Sequence, residues 1–96
     1  MEIHKSIDGH KATLEIEGWL DTQTAPQLAA ALDELGDDVK ELTFDFAGLE
    51  YISSAGIRKI VAAHKKMDGN LTVCNVSPEV LEVFKLTGVS KRITIV

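Results

Sequence analysis

Among its 96 residues the chain has one cysteine, one tryptophan, one tyrosine, two prolines and three histidines. A single thiol, Cys74, excludes an internal disulfide. One Cys and three scattered His also leave no zinc-ligand spacing, so no metal is expected. Prolines and glycines are too few and too dispersed for a linker or a low-complexity tract. Long apolar runs are missing as well. The longest uncharged run, Thr22 to Leu32, has eleven residues, well short of the ~20 that span a bilayer. The start Met1-Glu2-Ile3-His4-Lys5 has no apolar signal core, so a cytoplasmic setting with no direct membrane contact is expected. Basic residues are the minority: 10 Lys+Arg against 15 Asp+Glu give a net charge of −5. That balance argues against nucleic acid, which needs a positive footprint, and leaves protein partners open. There is no Gly-x-x-x-x-Gly-Lys-Ser/Thr phosphate loop, no Gly-x-Ser-x-Gly elbow and no evident His/Asp relay. No catalytic residue, no cofactor and no enzymatic activity are therefore expected.

What is present is ordinary for a folded globular domain: 45% hydrophobic and 26% charged residues. The length suits one domain over residues 1–96. Ile3 and Ile7 share a parity before Asp8-Gly9, which predicts a hairpin between two antiparallel strands. Ala12, Leu14 and Ile16 alternate with Thr13, Glu15 and Glu17, a half-buried strand. Thr24 with Gln27 fits a capping box, with Pro26 in the first turn of a helix. Leu28, Leu32 and Leu35 form its buried stripe, and Gly36 is placed at its end. Leu42, Phe44 and Phe46 mark a third strand. A second helix starts near Ser53 or Ser54, with Ile57, Ile60, Val61 and His64 inward and Arg58, Lys59, Lys65 and Lys66 largely outward. Gly69-Asn70 stops it. Leu71 to Val76 is a fourth strand. Ser77-Pro78 caps a third helix lined by Val80, Leu81 and Phe84 and ended by Gly88. Ile93 and Ile95 suggest a last short strand. The order β-β-α-β-α-β-α-β predicts a small α/β sandwich, with helices packed on a mixed sheet.

The informative stretch runs from Asp45 to Ile57. Ser53 and Ser54 stand at the mouth of a helix, followed by the small residues Ala55 and Gly56, which would let another molecule approach the backbone. A helix N-terminus stabilises an anion, so a phosphorylatable serine there is sensible. The alternative is a plain N-cap serine, and spacing alone favours the cap.

Four segments carry a resemblance. Gly18-Trp19-Leu20-Asp21 is similar to a Gly-x-Leu-Asp loop that leads into a first helix. Asp45-Phe46-Ala47-Gly48-Leu49 is similar to an Asp-Leu-Ser-x-Val strand end. Tyr51-Ile52-Ser53-Ser54-Ala55-Gly56-Ile57-Arg58 resembles a phosphorylation signature, commonly Asp-Ser-Ser-Gly or Ser-Ser-Ala-Gly. Asn75 to Val80, with Leu86-Thr87-Gly88, resembles a last strand and helix. In this order and spacing, they make the chain resemble the STAS domain family and, within it, the bacterial anti-sigma factor antagonists.

The resemblance implies partner switching. An unphosphorylated antagonist binds an anti-sigma factor that is also a serine kinase, and the sigma factor is released. The kinase phosphorylates the antagonist and frees itself, and a serine phosphatase reverses the step. Alignment on Gly56 puts the phosphoserine at Ser54. Ser53 takes the place often held by Asp and is the rival hydroxyl. Asp21, Thr22, Ser53, Ser54 and Arg58 are the expected docking residues, and charge reversal at Asp21 is expected to weaken binding with little effect on stability. A monomer or weak dimer is expected. The alternative is a cytosolic STAS accessory subunit of an ABC-type lipid transport system.

The remaining polar and aromatic residues read as structure first. Asp45 suits a turn or cap. His64 suits a packed helix face, and His4 and His10 suit a surface hairpin with no carboxylate pattern beside them. Cys74 suits a small buried hydrophobe. Trp19 either anchors a partner or plugs the sheet edge.

Overall fold

Leu14 and Ile16 are fully buried between Thr13, Glu15 and Glu17, which are exposed or half-buried. This is the period-two signature of a strand with one covered face. The computed structural model describes all of residues 1–96. It contains β1 (Glu2–Asp8), β2 (Lys11–Leu20), α1 (Ala25–Asp33), β3 (Glu41–Ile52), α2 (Ser54–Lys66), β4 (Leu71–Cys74), α3 (Pro78–Leu86), a 3-10 turn at Val89–Lys91, and β5 (Thr94–Ile95). The expected element order is the observed one. One five-stranded sheet runs β1-β2-β3-β4-β5. β1 and β2 are antiparallel, and every other neighbouring pair is parallel. Right-handed crossovers stepping one way along a sheet place their helices on a single face. Burial agrees, since Leu14, Phe44 and Val73 on successive strands are fully covered on the face that meets Leu28, Ile60 and Phe84 of the helices. Phe46 links sheet to helix layer: its ring centroid lies 5.6 Å from Phe44 and 6.3 Å from Phe84.

The other face of the sheet is open. Register places Ser6, Thr13, Thr43, Thr72 and Thr94 side by side, one hydroxyl residue per strand. No helix is long and apolar enough to cross a membrane.

Several boundaries differ from the expectation. The capping box at Thr24 does not form, because its hydroxyl is taken by the preceding loop and caps nothing in α1. The Gln27 side chain instead donates to the Met1 carbonyl at 3.1 Å. α1 ends at Asp33, before Gly36, and Lys66 Nζ of α2 donates to the Leu32 carbonyl at 2.7 Å, placing a cation at its C-terminus. The buried stripe of α2 is Ile57, Ile60, Ala63 and the following Met67, while Val61 and His64 are only half-buried. Lys59 is likewise half-buried. β4 stops at Cys74 because Asn75 takes a left-handed φ of 57°. The Ser77 cap, Pro78 at the helix start and the left-handed Gly88 are as expected. Ile7 on the edge strand is 50% exposed, beyond the reach of the helix layer.

Phe46→Ala should cost about 3–5 kcal/mol, because it removes the ring joining two layers and the cavity cannot refill from one side. Urea unfolding followed by circular dichroism measures the loss.

Candidate functional site

The site is built where β2 and β3 end side by side. Leu20 pairs with Ile52 in parallel register, and the Ser53 amide donates to the Leu20 carbonyl at 2.9 Å. The two strands then diverge, β2 into the Asp21–Thr24 loop and β3 directly into α2. Loops at the carboxyl ends of neighbouring parallel strands are where open α/β sheets gather their ligand contacts.

Ser53 and Ser54 have different tasks. Ser53 is extended, with φ −96° and ψ 174°, and its Oγ accepts the Gly56 amide at 3.3 Å. It is the N-cap of α2. Ser54 is the first helical residue and is exposed. The amides of Ser54 and Ala55 lie in the first turn, where no intrahelical acceptor exists. Arg58, four residues on and also exposed, shares the helix face of Ser54.

Gly56 is buried, and the reason corrects the expectation that it admits another molecule. A Cβ there would lie 2.8 Å from Ile52 Cγ1, 2.8 Å from Leu20 Cγ and 2.9 Å from the Leu20 carbonyl oxygen. What approaches the backbone is the chain's own β2 and β3.

Asp21 is half-buried and works inside its loop. Its Oδ1 accepts the Gln23 amide at 2.9 Å and the Thr24 amide at 3.1 Å. The Asp21 amide donates to Thr24 Oγ1 at 2.8 Å, and that hydroxyl donates to the Trp19 carbonyl at 2.8 Å. The carboxylate thus staples the turn into α1, an Asx-type role. Charge reversal at Asp21 should therefore disturb the loop as well as the surface, where little effect on stability was expected. Thr22 stands exposed at the tip.

β3 reaches this place by bulging twice. Between Glu15 and Glu17 the partner advances from Asp45 to Gly48, and between Gly18 and Trp19 it advances from Leu49 to Tyr51. Each step adds one residue to β3, which re-aims the side chains that follow. At the first bulge Asp45 Oδ1 accepts the Ala47 amide at 3.0 Å and the Asn75 side-chain amide at 3.1 Å, so Asp45 is a structural group. Gly48 leaves room for Glu17, whose Cγ would stand 2.7 Å from an added Cβ. The second bulge turns Tyr51 outward beside Trp19, with ring centroids 5.1 Å apart and planes tilted by 44°. Trp19 lies on β2 beyond its last pairing with β1, Glu2 with Glu17, and is exposed there. Periodicity assigns Tyr51 no role; an aromatic residue two positions before Ser53 is the available signal.

Elsewhere, the hairpin register brings His4 Nε2 within 3.6 Å of Glu2 and 3.5 Å of Glu17. His4 therefore does have carboxylates beside it, contrary to expectation. The three side chains offer one donor atom each within 4.8 Å of one another, all exposed. Cys74 is half-buried, and burial first, then the Asp45 charge, push its thiol above the usual range. The structure thus sets the loop of Asp21 and Thr22 beside the α2 mouth of Ser53 and Ser54, with Arg58 one turn along α2.

The fold and this arrangement define a STAS domain: the whole chain, residues 1–96, matches that family, and the protein belongs to it. Among its relatives is BtrV of Bordetella bronchiseptica, named as a candidate anti-sigma factor antagonist. The two are 32% identical over 77 residues, covering 76% of this chain and 66% of BtrV. The chain therefore spans just under two thirds of that relative's length. Solved structures share the fold. An anti-sigma factor antagonist from Mycobacterium paratuberculosis superposes with a TM-score of 0.87 at 22% identity, covering 98% of this chain and 83% of that one. The Bacillus cell fate determinant SpoIIAA in its phosphorylated form gives 0.69 at 16% identity, covering 99% and 91%.

Ser53→Ala should destabilise the domain by about 1 kcal/mol through loss of the cap, and Ser54→Ala should change stability little. Gly56→Ala should cost about 1–3 kcal/mol, since backbone must shift to admit the methyl. Chemical denaturation of the three variants ranks them.

Proposed function

We propose that the protein is an anti-sigma factor antagonist that binds an anti-sigma factor serine kinase when unphosphorylated and is released by phosphorylation at Ser54. The observation that carries this reading is the division of labour between the two serines. The Ser53 hydroxyl is engaged with the Gly56 amide, whereas Ser54 is exposed at the first position of α2. A kinase reaches Ser54 without dismantling the cap. The named relatives support the same class of function, one of them solved as a phosphorylated protein. In this reading the chain is a regulatory binding module, a serine phosphatase resets it, and Asp21, Thr22, Ser53, Ser54 and Arg58 face the partner.

The sign of the switch follows from charge. A phosphate on Ser54 adds about −1.5 to −2 near neutral pH. Within the domain the helix N-terminus tolerates an anion, because first-turn amides and the helix dipole favour it. Across a docked interface the group is bulky, hydrated and close to the Asp21 loop, and a like-charge contact there costs several kcal/mol. Phosphorylation spoils the contact surface and leaves the fold standing.

Incubation with candidate ATP-binding anti-sigma kinases, followed by phosphate mapping by mass spectrometry, tests the site. Phosphate on Ser54 is expected; phosphate confined to Ser53 overturns the assignment. Ser54→Ala should keep kinase binding, and Ser54→Asp should weaken it about tenfold or more, ~1.4 kcal/mol or more, with a melting point near wild type. Equal binding by the two variants would remove the electrostatic mechanism.

A further inference from the structure

Trp19 is 57% exposed and Tyr51 45% exposed, and the two rings touch each other at the surface. The other large exposed apolar side chains, Ile7, Leu86 and Val96, stand apart on the edge strand, the end of α3 and the C-terminus. The pair therefore forms the one aromatic platform of the surface. Its backbone is held from two sides. Trp19 and Tyr51 are register partners on inner strands, and the Thr24 hydroxyl donates to the Trp19 carbonyl at 2.8 Å. A rigid aromatic pair loses little conformational freedom on binding, and such side chains dominate interface energies.

The charge around the platform selects the occupant. Glu15 and Glu17 precede Trp19 on the open face of β2, Glu50 is the extra residue of the second bulge, and Asp21 begins the adjoining loop. His4, paired in register with Glu15, already sits between Glu2 and Glu17. Arginine fits such a place: its flat guanidinium stacks on an indole and hydrogen-bonds to a carboxylate at the rim. A second copy fits badly, because it would bring two acidic faces together.

From this juxtaposition we infer that the Trp19–Tyr51 pair is a docking platform for an arginine-bearing, positively charged surface of the partner protein. The inference rests on the reading of the chain as a protein-binding antagonist. It extends the partner's footprint from α2 over the rim of the sheet onto its open face.

The single tryptophan makes fluorescence a report on this platform alone. The probes are two peptides, acetyl-Ala-Arg-Leu-Arg-Ala-amide and its counterpart with glutamate in place of arginine. At low salt the arginine peptide should perturb Trp19 emission at about tenfold lower concentration than the glutamate peptide. Tyr51→Ala, or Glu17→Lys with Glu50→Lys, should erase that preference in variants whose melting shows them folded. An equal response to both peptides, or a preference that survives the charge reversal, overturns the inference. So does self-association of the chain that Trp19→Ala abolishes, because the occupant is then a second copy. With an anti-sigma kinase that phosphorylates the chain, Trp19→Ala should weaken binding about tenfold and Trp19→Phe much less; unchanged binding by Trp19→Ala also overturns it. Phosphate mapping on the same samples separates the two ideas. Absence of phosphate at Ser54 removes the switch while the peptide preference stands, and loss of the preference removes the platform while the switch stands.

Discussion

At Gly56 the first turn of α2 rests against Leu20 and Ile52 so closely that a methyl group would have to push one of them aside. The rest of the carboxyl end of the sheet depends on that contact. It holds the helix mouth against the end of β2, where the Ser53 amide meets the Leu20 carbonyl. With the helix seated there, Ser53 is used up as a cap and Ser54 is the hydroxyl left facing outward. The same seating sets the Asp21 loop beside the serine pair. Two requirements meet in one short motif: a glycine for packing, and two serines that divide capping from exposure.

Much of this was legible in the sequence because period-two and helical patterns were clean in β2, β4 and α3. The Ser77-Pro78 start of α3 could be read because its capping chemistry is local. The end of β3 could not be read. Its buried residues run Phe44, Phe46, Leu49, Ile52, so the spacing changes from two to three where the bulges insert residues. Strand periodicity fails there, and the strand extends six residues past Phe46. Thr24 misled for a related reason. Its hydroxyl matched a capping box, but the Trp19 carbonyl competes for it across a turn that sequence spacing does not display. His4 and Glu17 are thirteen positions apart and meet only through hairpin register. Ser54 and Asp21 stand out only through family resemblance; periodicity alone leaves the serines as caps.

Stability and recognition use different forces in this domain. The buried set is entirely apolar, with no buried polar or charged residue and no orphaned buried side-chain polar atom. The ion pairs Lys5–Glu34 and Lys11–Glu41 lie at the surface, where such pairs contribute about 0–1 kcal/mol. Charge is free to act on partners. A phosphate placed at the mouth of α2 would change what the surface attracts without reaching the core that holds the fold.

The hydroxyl row from Ser6 to Thr94 bears on how such a domain varies. Because the helices cover only one side of the sheet, the residues on the other side are excused from core packing. A row of small hydroxyl side chains keeps that side wetted without adding charge, and it gives a neighbouring sheet little apolar surface to stack on. Substitutions there alter what the surface presents while leaving Leu14, Phe44 and Val73 undisturbed beneath. The sheet is in effect two-sided in its obligations, with one side committed to holding the chain together and the other at liberty to change its company.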